Sequence, residues 1–138
     1  MAKLNHFWRT ILGSILVAMG TISPLSGQGP QLAMLDRLEP GRWEMRLRGG
    51  GGAAESLCLQ NGRQLIQLRH PQNICERYIA DDGVNEVTVQ YACHGKGYGR
   101  THIRRESSRL VQIDSQGIAN SLPFDFVAEA RRVGDCPN

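Results

Sequence analysis

The sequence predicts a mostly β protein, with an antiparallel meander sheet or open half-barrel of about seven strands, one short helix and two disulfides. Apolar and polar residues alternate along several short segments, which is the period-2 pattern of half-buried strands. Turn-forming clusters of Gly, Asp, Asn and Ser separate these segments. The four cysteines are an even number, and 138 residues suffice for one domain of ordinary size.

The segment 75–93 predicts a β-hairpin around which the rest of the sheet is organised. Its second arm, Glu86–Cys93, alternates apolar and polar residues. The cluster Asp81-Asp82-Gly83 predicts the turn between the two arms, because these residues favour turn conformations. Each arm therefore carries one cysteine, Cys75 or Cys93, at its outer end.

Other segments with a strand-like pattern flank this hairpin. The last of them also fits a helix capped by Gly134, but its regular aromatic alternation favours a strand that covers an edge of the sheet. The predicted strands are 42–48, 54–59, 98–105, 109–115 and 124–133, with a chain break expected at 114–117.

The predicted helix lies in the segment 61–69 and is one or two turns long. Asn61 is a candidate N-cap, and His70-Pro71 is a stop signal. Before the first strand, Leu35 and Leu38 are expected to pack against the domain from a polar lead-in.

The amino terminus has the pattern of a secretory signal peptide over residues 1–27. A basic start precedes an uncharged apolar run that is shorter than the ~20 residues of a membrane-spanning helix. Cleavage after Gly27 and cleavage near Ala33 both fit, and an uncleaved anchor is the alternative. We therefore expect a lead-in over 28–39, one domain over 40–138, no membrane span in the mature chain, and a periplasmic location.

The charge of the mature chain is nearly balanced. The full chain has 16 basic and 13 acidic residues, and removal of Lys3 and Arg9 with the signal leaves 14 basic residues, for a net charge of +1. This balance does not favour a nucleic-acid partner.

The cysteine positions favour one of three possible pairings. Cys75 and Cys93 are symmetric about the predicted hairpin turn, so they are expected to meet at its open end. In a meander, a bridge from Cys93 to Cys136 would have to span the sheet, beyond the ~7 Å limit for Cα atoms. The remaining pair is then Cys58 with Cys136, while Cys58 with Cys75 stays open if the meander is interrupted.

Several short motifs resemble a known protein family. They are Pro40-Gly41-Arg42-Trp43-Glu44, a cysteine before a short helical stretch, the spacing of Cys75 and Cys93, a glycine-rich turn, and the closing segment 131–137. Over most of residues 38–137 the chain resembles the domain of unknown function 3617 family of small exported bacterial proteins. The resemblance implies a β-rich periplasmic protein of a Gram-negative bacterium without an established activity. The chain departs from the family pattern at Ala130, where glycine is common, and in its arginine-rich segment 100–109.

The arginine-rich strand is the candidate binding site. Alternation places Arg100, His102 and Arg104 on one face, with Arg109 near the following turn. Guanidinium groups pair bidentately with carboxylate, phosphate or sulfate, so the stripe is a candidate for anion binding. The favoured interpretation is a solvated outer face of the sheet, because a single run of charge usually forms one.

No catalytic, cofactor or metal motif is present in the sequence. There is no CxxC, HxxxH, HExxH or GxSxG, and the glycine runs at 49–52 and 95–99 predict turns and not phosphate sites. We therefore expect a non-catalytic binding or envelope-maintenance module for a small ligand or an envelope protein. The alternative is a small hydrolase or isomerase, for which a pocket joining His102 to Glu86 or Glu106 would be the signature.

Overall fold

Seven strands form one open antiparallel sheet in the computed structural model of the protein, which describes residues 31–50, 52–72 and 74–137. The predicted fold class is confirmed, although the described residues contain two short helices and not one. The predicted signal peptide lies outside the described residues. The elements are α1 (Ala33–Asp36), β1 (Gly41–Leu47), β2 (Glu55–Leu59), a 3₁₀ helix (Gly62–Gln67), β3 (Cys75–Asp82), β4 (Glu86–Cys93), β5 (Gly97–Ser107), β6 (Leu110–Ala119) and β7 (Leu122–Gly134).

The strand order is β2-β1-β7-β6-β5-β4-β3. The chain therefore runs as a meander from β3 to β7, and β7 then pairs with β1. The prediction that the last segment is a strand is confirmed, but its expected place at an edge is wrong. β1 pairs with β2 on one side and with β7 on the other. The edge strands are therefore β2 and β3.

Two turns differ from the predicted positions. Asp81 and Asp82 belong to β3, with a bulge before them, and the turn follows at Gly83. The predicted break at 114–117 is wrong, because β6 continues to Ala119. The actual turn is Asn120-Ser121, with φ of 50° and 66°, and two successive left-handed residues match the twist of a two-residue hairpin.

The hydrophobic core lies on one face of the sheet and is covered by the two helices. Trp43 is fully buried there, and its indole Nε1 donates a hydrogen bond to the carbonyl oxygen of Glu39 at 3.0 Å. Leu35 and Leu38 are buried as predicted. The lead-in also forms α1, whose single turn is too short for a periodic sequence signal.

The predicted helix is confirmed as the 3₁₀ helix, and its start is a capping box. The side chain of Asn61 accepts a hydrogen bond from the Arg63 backbone at 3.0 Å, while Gln64 Oε1 accepts one from the Asn61 backbone at 3.2 Å. Thr101 on β5 donates a hydrogen bond of 2.6 Å to the carbonyl of Ile66, which fastens this helix to the sheet.

Both predicted disulfides are confirmed. Cys75 and Cys93 are direct partners in the ladder of β3 and β4, with Cα atoms 4.2 Å apart. Cys58 and Cys136 have Cα atoms 5.6 Å apart and link β2 to the segment after β7. Two disulfides indicate an oxidising, exported environment. In the described part of the chain, neither helix has the length and apolarity that a membrane span requires.

Candidate functional site

A groove of about 740 Å³ crosses the face of the sheet that is opposite the core. It lies at the end of the sheet where the Cys75–Cys93 disulfide joins β3 to β4. Residues from five successive strands line it: Glu76, Arg77, Tyr78, Gln90, Tyr91, Ala92, Tyr98, Gly99, Arg100, Gln116, Gly117, Ile118, Phe124 and Asp125.

The side chains of the groove form two rows, because direct cross-strand partners project from the same face. The polar row runs across the sheet from β3 to β7, with Arg100 between two glutamines. The apolar row lies two residues away along the strands. The polar row is Tyr78, Gln90, Arg100, Gln116 and Asp125, and the apolar row is Ala92, Tyr98 and Ile118.

Two glycines form the floor between these rows. Gly99 and Gly117 are direct partners in the ladder of β5 and β6. A Cβ atom on Gly99 would lie 2.5 Å from the Tyr91 hydroxyl oxygen, and one on Gly117 would collide with the backbone oxygen of Tyr98. The absence of side chains at both positions therefore lets the core residues approach the floor from below.

Tyr91 supports that floor through a buried hydrogen bond. Its hydroxyl lies 3.3 Å from Nδ1 of His70, whose Nε2 lies 3.1 Å from the Lys96 carbonyl oxygen. Because a carbonyl only accepts, Nε2 carries the proton and Nδ1 accepts from the Tyr91 hydroxyl. Burial raises the pKa of Tyr91 to about 12, so the phenol keeps its proton at neutral pH.

Arg100 is the cation of the polar row. The other cation of the lining, Arg77, donates a hydrogen bond to Gln67 Oε1 at 2.7 Å. Arg100 is exposed, and it makes no hydrogen bond or ion pair with any residue that the structure describes. Its two cross-strand neighbours, Gln90 and Gln116, are neutral. Asp125, at the β7 end of the same row, likewise has no partner among the described residues.

The other members of the predicted anion-binding set are paired with carboxylates outside the groove. His102 Nε2 lies 3.4 Å from Glu86 Oε2, and neither residue lines the groove. The structure therefore brings only Arg100 of the four predicted residues into the groove. The remaining two pairs are Arg104 with Glu106 at 2.8 Å and Arg109 with Glu39 at 3.5 Å.

The tyrosines of the groove and Asp125 were not predicted from the sequence as site residues. Tyr98 precedes Arg100 by two residues on one strand, so its position on the same face was readable from the alternation. Tyr78 and Asp125 lie on β3 and β7, and placing them beside Arg100 needs the register of the whole sheet.

The described residues contain no group of three or more His, Cys, Asp and Glu side chains that could hold a metal ion. Comparisons of the chain with protein-family models, with curated proteins and with solved structures found no match.

Proposed function

We propose that this protein is an exported, non-catalytic binding module of the periplasm that holds a small ligand in the groove by an anionic group of the ligand. The observation that carries the proposal is Arg100, whose guanidinium lies in a groove of about 740 Å³ and has no partner among the described residues. A ligand that pairs with it displaces no internal partner, so the energy of a bidentate contact is available for binding. Gln90 and Gln116 supply amide donors on either side of Arg100.

The aromatic residues of the groove support a ligand with an apolar body. Tyr78 is 67% exposed and Tyr98 is 57% exposed, and a ligand that covered these rings would remove apolar surface from water. Pockets for small molecules combine such apolar walls with a few placed polar groups. The hydrolase or isomerase alternative rests on His102 and Glu86, which lie outside the groove, so the groove favours binding.

The periplasmic location is part of the proposal. It is supported by the two disulfides and by the pattern of a signal peptide over residues 1–27. Membership of the domain of unknown function 3617 family is likewise proposed, on the motifs of residues 38–137.

Titration of the isotope-labelled mature protein with phenylpropionate, followed by amide chemical shifts, tests the proposal. We expect the shifts to centre on Tyr98, Arg100 and Gln116, and to be several-fold smaller with the neutral phenylpropionamide. Arg100→Gln should remove the response to the anion. Arg104→Gln is the matched control, because Arg104 lies on the same strand but is paired with Glu106 outside the groove.

An equal loss in the two variants would overturn the groove as the site and favour the arginine stripe as a whole. A response that is the same for phenylpropionate and its amide would refute the role of Arg100 as the anion anchor.

A further inference from the structure

We infer that the ligand of the groove is a short zwitterionic peptide, whose terminal carboxylate pairs with Arg100 and whose terminal ammonium pairs with Asp125. The inference rests on the proposed function and deepens it by naming the class of ligand. It starts from Arg100 and Asp125, the two charges of the polar row, which have opposite signs and no partner in the described part of the chain.

The two opposite charges of the polar row favour a zwitterion over a simple anion. An anion at Arg100 would experience the negative charge of Asp125 on the same face, and a dianion such as phosphate would experience it twice over. A zwitterion satisfies both groups at once. The other carboxylate of the lining, Glu76, is the cross-strand partner of Ala92 and lies outside the polar row, so Asp125 is the acid in line with Arg100.

The distance between the two charges sets the length of the ligand. Arg100 on β5 and Asp125 on β7 are separated by Gln116 on β6, so two strand spacings lie between them. At ~4.8 Å a spacing this is ~10 Å. An extended chain covers ~3.3–3.6 Å per residue, so about three residues match that separation.

The rest of the groove suits a peptide body. Gln116 stands between the two charges and can both donate to and accept from a peptide group. Tyr98 and Ile118, in the adjacent apolar row, provide a surface for an apolar side chain at the middle residue.

Binding of the tripeptide Ala-Phe-Ala to the mature protein tests the inference, with three blocked forms as matched ligands. The forms carry an N-terminal acetyl group, a C-terminal amide, or both, and the titrations are done near pH 6.5, where the free amine is protonated. The protein variants are Arg100→Gln and Asp125→Asn, with Arg104→Gln as the control on the same strand.

We expect each block to weaken binding by roughly threefold to tenfold, the range of a partly solvated charge pair. Asp125→Asn should abolish the effect of acetylation and keep the effect of amidation. Arg100→Gln should do the opposite, and Arg104→Gln should change neither. This crossed pattern assigns each terminus to its residue.

Two outcomes would overturn the inference. If acetylation leaves binding unchanged, or strengthens it, while amidation still weakens it, the ligand is a plain anion and the proposed function stands. If neither the peptides nor phenylpropionate shifts the amides of the groove, both the peptide assignment and the proposed function fail.

Discussion

Gly99 and Gly117 stand opposite each other in the ladder of β5 and β6, directly beneath the groove. The pair connects the core to the groove, because the Tyr91 ring occupies the space where a side chain of Gly99 would lie. The shape of the candidate site therefore depends as much on the glycines at positions 99 and 117, which have no side chain, as on the charged residues of the polar row.

Gly99→Ala should destabilise the protein by about 1–3 kcal/mol. Its Cβ would lie 2.5 Å from the Tyr91 hydroxyl oxygen, so a packed ring or the strand itself must move. Gly52→Ala is the control, because nothing lies within 4 Å of its Cβ position, and its effect should be within ~0.5 kcal/mol. Urea unfolding of both variants gives the comparison, and equal stabilities would show that the floor is not tightly packed.

Ionisation of Tyr91 should lower the free energy of unfolding at alkaline pH. Because burial raises its pKa to about 12, the folded protein keeps the phenol proton after an unfolded tyrosine, with its pKa of ~10, has lost it. The contribution of Tyr91 to the free energy of unfolding is thus complete below about pH 10. Between about pH 10 and 12 it decreases by about 1.4 kcal/mol per pH unit.

Urea unfolding at about pH 8 and pH 11 measures this slope. Tyr91→Phe should lose about 1 kcal/mol at pH 8, because Nδ1 of His70 loses its donor, and should lack the alkaline contribution. Tyr78→Phe removes an exposed hydroxyl and should keep the alkaline fall. A wild-type slope in Tyr91→Phe would contradict the assignment.

Removal of the Cys58–Cys136 disulfide should cost about 4.5 kcal/mol. The bridge closes a loop with a sequence separation of 78, and the chain-entropy relation gives that value for the unfolded state. Cys58 is exposed and Cys136 half-buried, so substitution by alanine leaves little cavity. Urea unfolding of the double alanine variant measures the cost, and a loss below about 1 kcal/mol would mean that the unfolded chain is already held compact.

Most of the fold was predicted from local patterns in the sequence. Alternation identified the strands, and the symmetry of Cys75 and Cys93 about a turn predicted their pairing, because both depend on neighbours in sequence. The interior position of β7 was not predictable in this way. It depends on the pairing of β7 with β1, and these two strands are far apart in the sequence. The turn at Asn120-Ser121 was missed because it has left-handed residues without a glycine.

The candidate site was predicted only in part, for a related reason. Arg100 was found from alternation on one strand, but its environment depends on the register of five strands. The register gives His102 a carboxylate partner, Glu86 on β4, whereas Arg104 pairs with Glu106 on its own strand. Both pairs separate these residues from Arg100, although all three lie on β5.

The link between Thr101 and the 3₁₀ helix provides the last prediction. Thr101 donates to the carbonyl of Ile66 at 2.6 Å, so the Ser115 hydroxyl, 2.8 Å away, donates in turn to the Thr101 oxygen. Thr101→Val keeps the shape but leaves that carbonyl and the serine hydroxyl unsatisfied in the core. It should cost about 2–3 kcal/mol.

Ser115→Ala removes only the hydroxyl that donates to the Thr101 oxygen and leaves the bond from Thr101 to Ile66 in place. It should therefore cost less than about 1.5 kcal/mol. In the Thr101→Val background the same change removes a hydroxyl that no longer has an acceptor, and it should be neutral or stabilising. Urea unfolding of the two single variants and the double variant tests this coupling. Strictly additive losses would mean that the two hydroxyls act independently.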